Sequence, residues 1–396
     1  MITMILRMIK HLSSTYKCNF LGAYSLRAGG NIVVNDRKRW YGIQLPPGEN
    51  VKGLLAISNV NKSNYTVENL LNFNMDLTKD FRLSATAGIT YDEYHFLTEN
   101  VSGNTFSIYD LRTKGLSNAG KVDVKQPIQK DYQLLSYLGR VNLSAYDKYL
   151  LTASLRADGS SKFKKGNRWA YFPSFSLAWR MEQEAYMKNI DWKVRVGYGE
   201  TGNQGIDPYQ SLSIYENKVD YADGDGNKLT SMQIKSLQNE GLKWERTSSW
   251  NAGLDFGFFN GRLNGAFDYY RKNTKDLLVE RALPYSSGFA TVMINEGSLL
   301  NKGFEFSLNA DIIRSNGWKW NVGGNIGFNK TTIENLGLEV SDIGSLKGVR
   351  GYLGKTIGDH FGPANIFIEG EAPGLFFGYK TQGIIQEEDV VDGKVG

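Results

Sequence analysis

Gly197-Tyr198-Gly199-Glu200-Thr201-Gly202 has the spacing G-x-G-x-x-G, and Asp220 follows it. In a dinucleotide-binding unit such glycines let the backbone approach a pyrophosphate at a helix start, and an acid about 20 residues on takes the ribose hydroxyl. That chemistry needs a helix to open at the third glycine. Here Asn203, Gly205 and Pro208 follow with no 3.6-residue period, so the glycines read as a strand end bending into a loop. Asp223-Gly224-Asp225-Gly226-Asn227 resembles the start of a calcium loop. Lys228 stands where an EF-hand needs glycine and Ile234 where the bidentate glutamate belongs, which excludes that motif. An irregular calcium site and a solvated Asp/Gly turn both remain open there. The three histidines, His11, His95 and His360, lack ligand spacing, and no H-E-x-x-H, G-x-S-x-G or P-loop pattern occurs. No catalytic, metal-binding or ligand-binding residue is assigned, no cofactor is expected, and nothing motivates an enzyme.

Composition narrows the classes further. The 396 residues are 41% hydrophobic, 13% aromatic and 22% charged, with 44 glycines and 8 prolines, which excludes wholesale disorder and collagen. A mean hydropathy of -0.38 without a long apolar run excludes a helical membrane protein. One cysteine excludes a disulfide scaffold or a Cys-rich zinc site. The net charge of +5 comes with short basic runs, Arg37 to Arg39 and Lys162 to Arg168, that read as solvated loops; no nucleic-acid partner is expected. Met1 to Leu12 is apolar and basic but has no small-residue cleavage site and is too short to span a bilayer. It reads as a chance start within a longer gene.

The elements that position these residues are strands. Trp244, Trp250, Ala252, Leu254, Phe256 and Phe258 alternate with Glu245, Asn251, Gly253, Asp255 and Gly257. Leu263, Gly265, Phe267 and Tyr269 do the same against Asn264 and Asp268. Phe304, Phe306, Leu308 and Ala310 oppose Glu305, Ser307, Asn309 and Asp311; Val322, Ile326 and Phe328 oppose Asn321, Asn325 and Asn329. Leu71 to Leu77 and Phe81 to Ile89 form an earlier pair. Period 2 means strand. Each run reaches roughly ten residues, the length a tilted strand needs to cross a bilayer, whereas soluble strands average about five to six.

Length alone leaves a soluble sandwich open; the connections decide. Short ones (Thr78 to Asp80, Asp147-Lys148, near Gln183 to Asp191, Asn260-Gly261, Ser315 to Gly317) alternate with long ones. The long set is His95 to Lys130, Ser160 to Arg168, Thr201 to Lys243, Leu283 to Gly297 and Leu336 to Gly370. Short turns at one end and long loops at the other is the pattern of an outer-membrane barrel. Tyr146, Tyr149, Trp192, Phe256, Phe258, Trp318 and Trp320 lie beside the short turns, as a headgroup girdle requires. The Asn-Gly pair predicts a two-residue type I′ turn. The expected fold is therefore all-β: part of an antiparallel transmembrane β-barrel wall, about 10–12 strands of a larger barrel. Residues 1–60 are poorly assigned, 61–335 are barrel strands with long outer loops, and 336–396 are an outer loop leading to further strands.

Several stretches resemble the SusC/RagA-type TonB-dependent outer-membrane transporters of Bacteroidetes. They are Tyr137 to Phe163, Asn167 to Arg180, Val194 to Asn203, Leu242 to Leu277, Leu283 to Leu308 around Asn295-Glu296-Gly297 and Asn301-Lys302-Gly303-Phe304-Glu305, and Gly374 to Ile384. The resemblance covers most of the chain from about residue 60 onward. It implies a large plugged barrel, for which the strand number is about 22. It also implies a segment that engages TonB, a SusD-type surface lipoprotein lid, and uptake of large hydrophilic cargo, glycans or peptides, across the outer membrane. The sequence looks like the middle of such a protein, with plug, TonB-engaging segment and final strand expected elsewhere. A passive porin, another outer-membrane barrel and a soluble glycan-binding β protein are the alternatives.

Overall fold

The computed structural model describes every residue except 1, 19–21, 185–190, 227, 290, 316, 338–341, 344–345, 355–363, 379–389, 392–393 and 396. Twelve long strands form one antiparallel path. They are β1 (Ile2–Cys18), β2 (Gly22–Tyr41), β3 (Leu54–Asp76), β4 (Phe81–Phe106), β5 (Ile128–Ala145) and β6 (Tyr149–Ser160). Then come β7 (Trp169–Arg180), β8 (Asp191–Asn203), β9 (Glu245–Phe258), β10 (Leu263–Lys275), β11 (Ser298–Ser315) and β12 (Trp318–Asn335). Each pairs with the next in sequence, an up-and-down meander, and a short strand, Ala119–Val124, adds to the far end of β4. Among the described residues no ladder joins β1 to β12, so the sheet is an open wall. The poorly assigned N-terminal stretch supplies β1, β2 and the start of β3.

The register converts local alternation into two continuous faces. One row of directly opposed residues runs Phe328, Phe304, Tyr269, Ala252, Val196, Leu177, Leu151, Leu143, Leu83, Met75. Two residues nearer the short turns, the next row reads Ile326, Phe306, Phe267, Leu254, Val194, Trp179, Tyr149, Ala145, Phe81. Every member of both is apolar or aromatic, and rings pair along them, Phe304 with Phe328 at 4.9 Å between centroids and Phe267 with Phe304 at 6.2 Å. Trp250, Val322 and Ile326 are more than 45% exposed, on a face that no other described residues cover. A sheet exposing such rows to water would aggregate; facing hydrocarbon they are solvated.

Two local details differ from the pattern reading. Asn260-Gly261 is not a two-residue turn: Phe258 pairs with Leu263, leaving Phe259 to Arg262 as a four-residue loop with positive φ at Phe259, Asn260 and Gly261. The apolar run Phe256, Phe258 ends a residue earlier than the Asn-Gly signal implies. The stretch His95 to Lys130 is largely strand, since β4 runs 26 residues and β3 runs 23. Both exceed the roughly 9–11 residues a bilayer takes, so their far ends stand clear of it. The long loop 201–243 contains its own hairpin, Ile214–Ala222 against Lys228–Ser236, and Leu283 to Gly297 contributes to another, Leu278–Ala282 against Thr291–Asn295. Asn316, His360 and parts of the expected turn at 183–191 and strand at 375–385 lie outside the described residues.

Candidate functional site

The opposite face is polar, and its register is as continuous. One row reads Asn329, Gly303, Tyr270, Asn251, Gly197, Ser176, Thr152, Asn142, Ser84, Asn74. The next row outward reads Thr331, Asn301, Lys272, Ser249, Gly199, Ser174, Ser154, Arg140, Thr86, Asn72. Amides and hydroxyls bond one another across strands: Thr152 Oγ1 donates to Asn142 Oδ1 at 2.8 Å, and Asn142 Nδ2 to Ser84 Oγ at 3.1 Å. Tyr270 Oη donates to Asn329 Oδ1 at 3.1 Å, and Asn301 Nδ2 to Thr331 Oγ1 at 2.7 Å. The first row carries no charge. Amides and hydroxyls both donate and accept, so this belt can bond sugar hydroxyls or peptide groups at many positions.

Nearer the short turns the same face carries an internally compensated charge cluster. Arg195 grips Asp255 bidentately, Nε to Oδ2 at 2.9 Å and Nη2 to Oδ1 at 2.6 Å, and reaches Asp268 Oδ1 at 3.1 Å. Lys193 Nζ lies 3.3 Å from Asp255 Oδ2. Arg195 and Asp268 sit on β8 and β10, and they meet over Gly253 of β9. A Cβ at Gly253 would collide with both the Asp268 carboxylate and the Arg195 guanidinium. The cluster borders an open groove of about 340 Å³ lined also by Asp191, Asn264, Ser307 and Asn309.

Toward the long-loop end the same face is roofed. Phe163, Ala170, Phe172, Ile206, Leu242 and Trp244 form a buried cluster, with Leu134, Leu278 and Met293 packed against it. Trp244 Nε1 donates to the Arg168 carbonyl at 2.8 Å, and Lys162 Nζ donates to the Gln204 carbonyl at 3.3 Å while standing 4.2 Å over the Tyr132 ring. Desolvation there pushes the Lys162 amine below the ordinary lysine range. Asn295 ties the loop layers together: its Nδ2 donates to the Lys243 and Asp276 carbonyls, and its Oδ1 accepts from the Lys243 amide at 2.8 Å. Described parts of the loops 160–168, 201–243 and 276–297 thus pack against one another over the lumen end.

The sequence motifs fall into this frame without chemistry of their own. Gly197 to Gly202 lies within strand β8, no helix opens there, and the Phe172 ring occupies the space a Cβ on Gly202 would need. In the Asp/Gly loop the Asp225 amide donates to Asp223 Oδ1 at 3.0 Å and the Gly226 amide to the Asp223 carbonyl, an ordinary Asx turn; Asn227 lies outside the described residues. His95 sits between Asp131 (3.2 Å) and Glu93 (3.3 Å) on the projecting part of β4. Among the described residues no group of three His, Cys, Asp or Glu side chains can hold a metal ion. The Arg195 cluster and the Asn295 tie were not read from the sequence; the Asn295-Glu296-Gly297 motif was the available signal for the second.

Residues 11–359 match the family model described as TonB dependent receptor-like, beta-barrel. The chain is 31% identical over 393 residues to TonB-dependent receptor P3 of Formosa agariphila, covering 96% of this chain and 38% of that receptor. It is 43% identical over 210 residues to TonB-dependent receptor SusC of Bacteroides thetaiotaomicron, covering 51% of this chain and 21% of that one. In structure it resembles the RagAB peptide transporter with a TM-score of 0.79 at 22% identity, over 94% of this chain and 40% of that chain. The chain therefore spans well under half the length of the relatives it matches.

Proposed function

The chain belongs to the TonB dependent receptor-like β-barrel family, and from that premise we propose that it forms part of the wall of an energised outer-membrane importer for large hydrophilic nutrients, oligosaccharides or peptides. Its apolar face meets lipid and its amide-hydroxyl face lines the lumen. Short turns such as Phe259 to Arg262 point to the periplasm, and the ordered long loops point outside. Residues 61–335 are then the wall with its outer loops, and 336–396 an outer loop and the approach to further strands. The observation that carries this reading is the uncharged belt from Asn74 to Asn329, unbroken across ten strands. A belt of that kind offers many weak, interchangeable hydrogen bonds, which hold a polyhydroxylated or polyamide cargo without trapping it. No step of bond-making is assigned to it. TonB supplies the work that opens the lumen, and a surface lipoprotein of the SusD type covers the outer mouth.

The test uses the complete receptor in its own outer membrane. Growth is scored on an oligosaccharide ladder and on a mixed oligopeptide digest as sole carbon source, with wild type and Asn142→Leu/Asn251→Leu/Tyr270→Phe. Uptake of one cargo class that depends on the proton-motive force, and that the triple variant reduces at unchanged receptor abundance, supports the proposal. Uptake indifferent to these three residues and to the proton-motive force overturns it.

A further inference from the structure

On the lipid-facing side, the row one step outward from Phe328, Phe304 and Tyr269 changes character abruptly. It reads Lys330, Lys302, Arg271, and then Trp250, Tyr198, Phe175. Three cations stand directly opposite one another on β12, β11 and β10, followed by three aromatic rings. Like charges in register across a sheet repel, so this arrangement is unfavourable unless an external anion completes it. All three side chains are exposed, and among the described residues none has a carboxylate within ion-pair distance. The acids of β10 and β11, Asp268, Glu305 and Asp311, lie on the lumen-facing rows. On the cationic face Glu200 stands two strands away and accepts a hydrogen bond from Tyr198, and Glu334 is the unpaired residue of the bulge at the end of β12. Lys275 and Arg246, opposite each other two steps further out, add to the positive field.

Height identifies the anion. Trp320 belongs to the aromatic girdle at the short-turn end, and Lys330 lies ten positions along the same strand. Ten residues at about 3.3 Å each, on a strand tilted about 40°, climb about 25 Å, the full height of the apolar band. The cations therefore stand at the opposite headgroup level, with Trp250 and Tyr198, whose centroids are 4.7 Å apart, as the ring belt beside them. We propose that Arg271, Lys302 and Lys330 form a docking site for the phosphate-bearing headgroup of an anionic outer-leaflet lipid, which holds this sector of the wall at a fixed depth. The proposal rests on the membrane orientation assigned above.

The experiment purifies the complete receptor in neutral detergent and titrates it with diphosphorylated lipid A, with dephosphorylated lipid A and with inorganic phosphate, reading bound lipid by native mass spectrometry. Each juxtamembrane cation is worth about a five-fold change in affinity for an anionic lipid, so R271Q/K302Q/K330Q should weaken lipid A binding by roughly 100-fold. K272Q, on the lumen face of the same strand, should leave it unchanged. Equal binding by wild type and the triple variant overturns the site, as does displacement of lipid A by millimolar phosphate alone. A Cys replacing Phe304, labelled by a water-soluble maleimide in intact membranes, would show instead that the orientation itself is wrong, independently of lipid binding.

Discussion

Arginine placed at Leu308 gives the sharpest energetic contrast between the two faces. Leu308 lies on the apolar face of β11, five positions from Ile313, which pairs with the girdle residue Trp320. Five residues on a strand tilted about 40° climb about 13 Å, half of the roughly 25 Å apolar band, so Leu308 stands at the bilayer midplane. Its register neighbours are Gly265 and Gly324, neither of which offers a polar partner. An arginine there costs about 2–4 kcal/mol, a roughly 30- to 900-fold shift in the folding equilibrium. Asn309, one position along, faces the groove that Asp191, Asp255 and Ser307 line, where a guanidinium meets water and carboxylates. The same substitution there should cost under about 1 kcal/mol. Reversible urea unfolding of the complete receptor in lipid vesicles, followed by tryptophan fluorescence, measures both. If Asn309→Arg destabilises as much as Leu308→Arg or more, the face assignment is refuted.

Other consequences follow from single contacts. Gly253→Val should break the Arg195–Asp268 bridge that crosses it and cost about 1–3 kcal/mol, whereas Gly139→Ala, with nothing near its Cβ position, should change the melting midpoint little. Asn295→Ala removes three hydrogen bonds between loop layers, so limited proteolysis should cut near 278–295 much faster while the wall stays intact. Glu184 lies past the end of β7, and a hydrogen bond from Lys148 holds its carboxyl below the usual range. A depressed folded-state value stabilises above the ordinary carboxylate range, about 4.3, and that stability is lost as pH falls through the folded value. Glu184→Gln should therefore lower the melting midpoint at neutral pH and flatten the acid limb, with variant and wild type converging below the folded value. An epitope tag inserted near Asp225 should be reached by antibody on intact cells, and one near Asn260 only after the outer membrane is opened.

What the sequence made legible was whatever is written within one strand. Alternation such as Phe304, Phe306, Leu308 against Glu305, Ser307, Asn309 is local, and it identifies both faces before any register is known. Loop lengths are local too, which is why the short-turn end and the long-loop end of the wall could be told apart. Hidden features depended on pairing across distance. Arg195 and Asp268 are 73 residues apart and meet only because Gly253 lies between them in register. The row Arg271, Lys302, Lys330 likewise exists only once three strands are aligned. Residues 1–60 resisted assignment because Gly29-Gly30-Asn31 and Arg37-Lys38-Arg39 interrupt the alternation, although their pairing with β3 is continuous from Gly22 to Tyr41. The turn at Phe259 to Arg262 departs from the Asn-Gly pattern because Phe259 takes a positive φ, a conformation in which Asn and Gly are the residues enriched.

The central claim is that one face of this wall meets hydrocarbon and the other meets water. Single cysteines at each position from Phe304 to Ala310, in the otherwise unchanged complete receptor, can be treated in intact outer membranes with a water-soluble maleimide. The account predicts labelling with period 2, strong at 305, 307 and 309 and weak at 304, 306, 308 and 310. Uniform labelling, or the reverse phase, would contradict it.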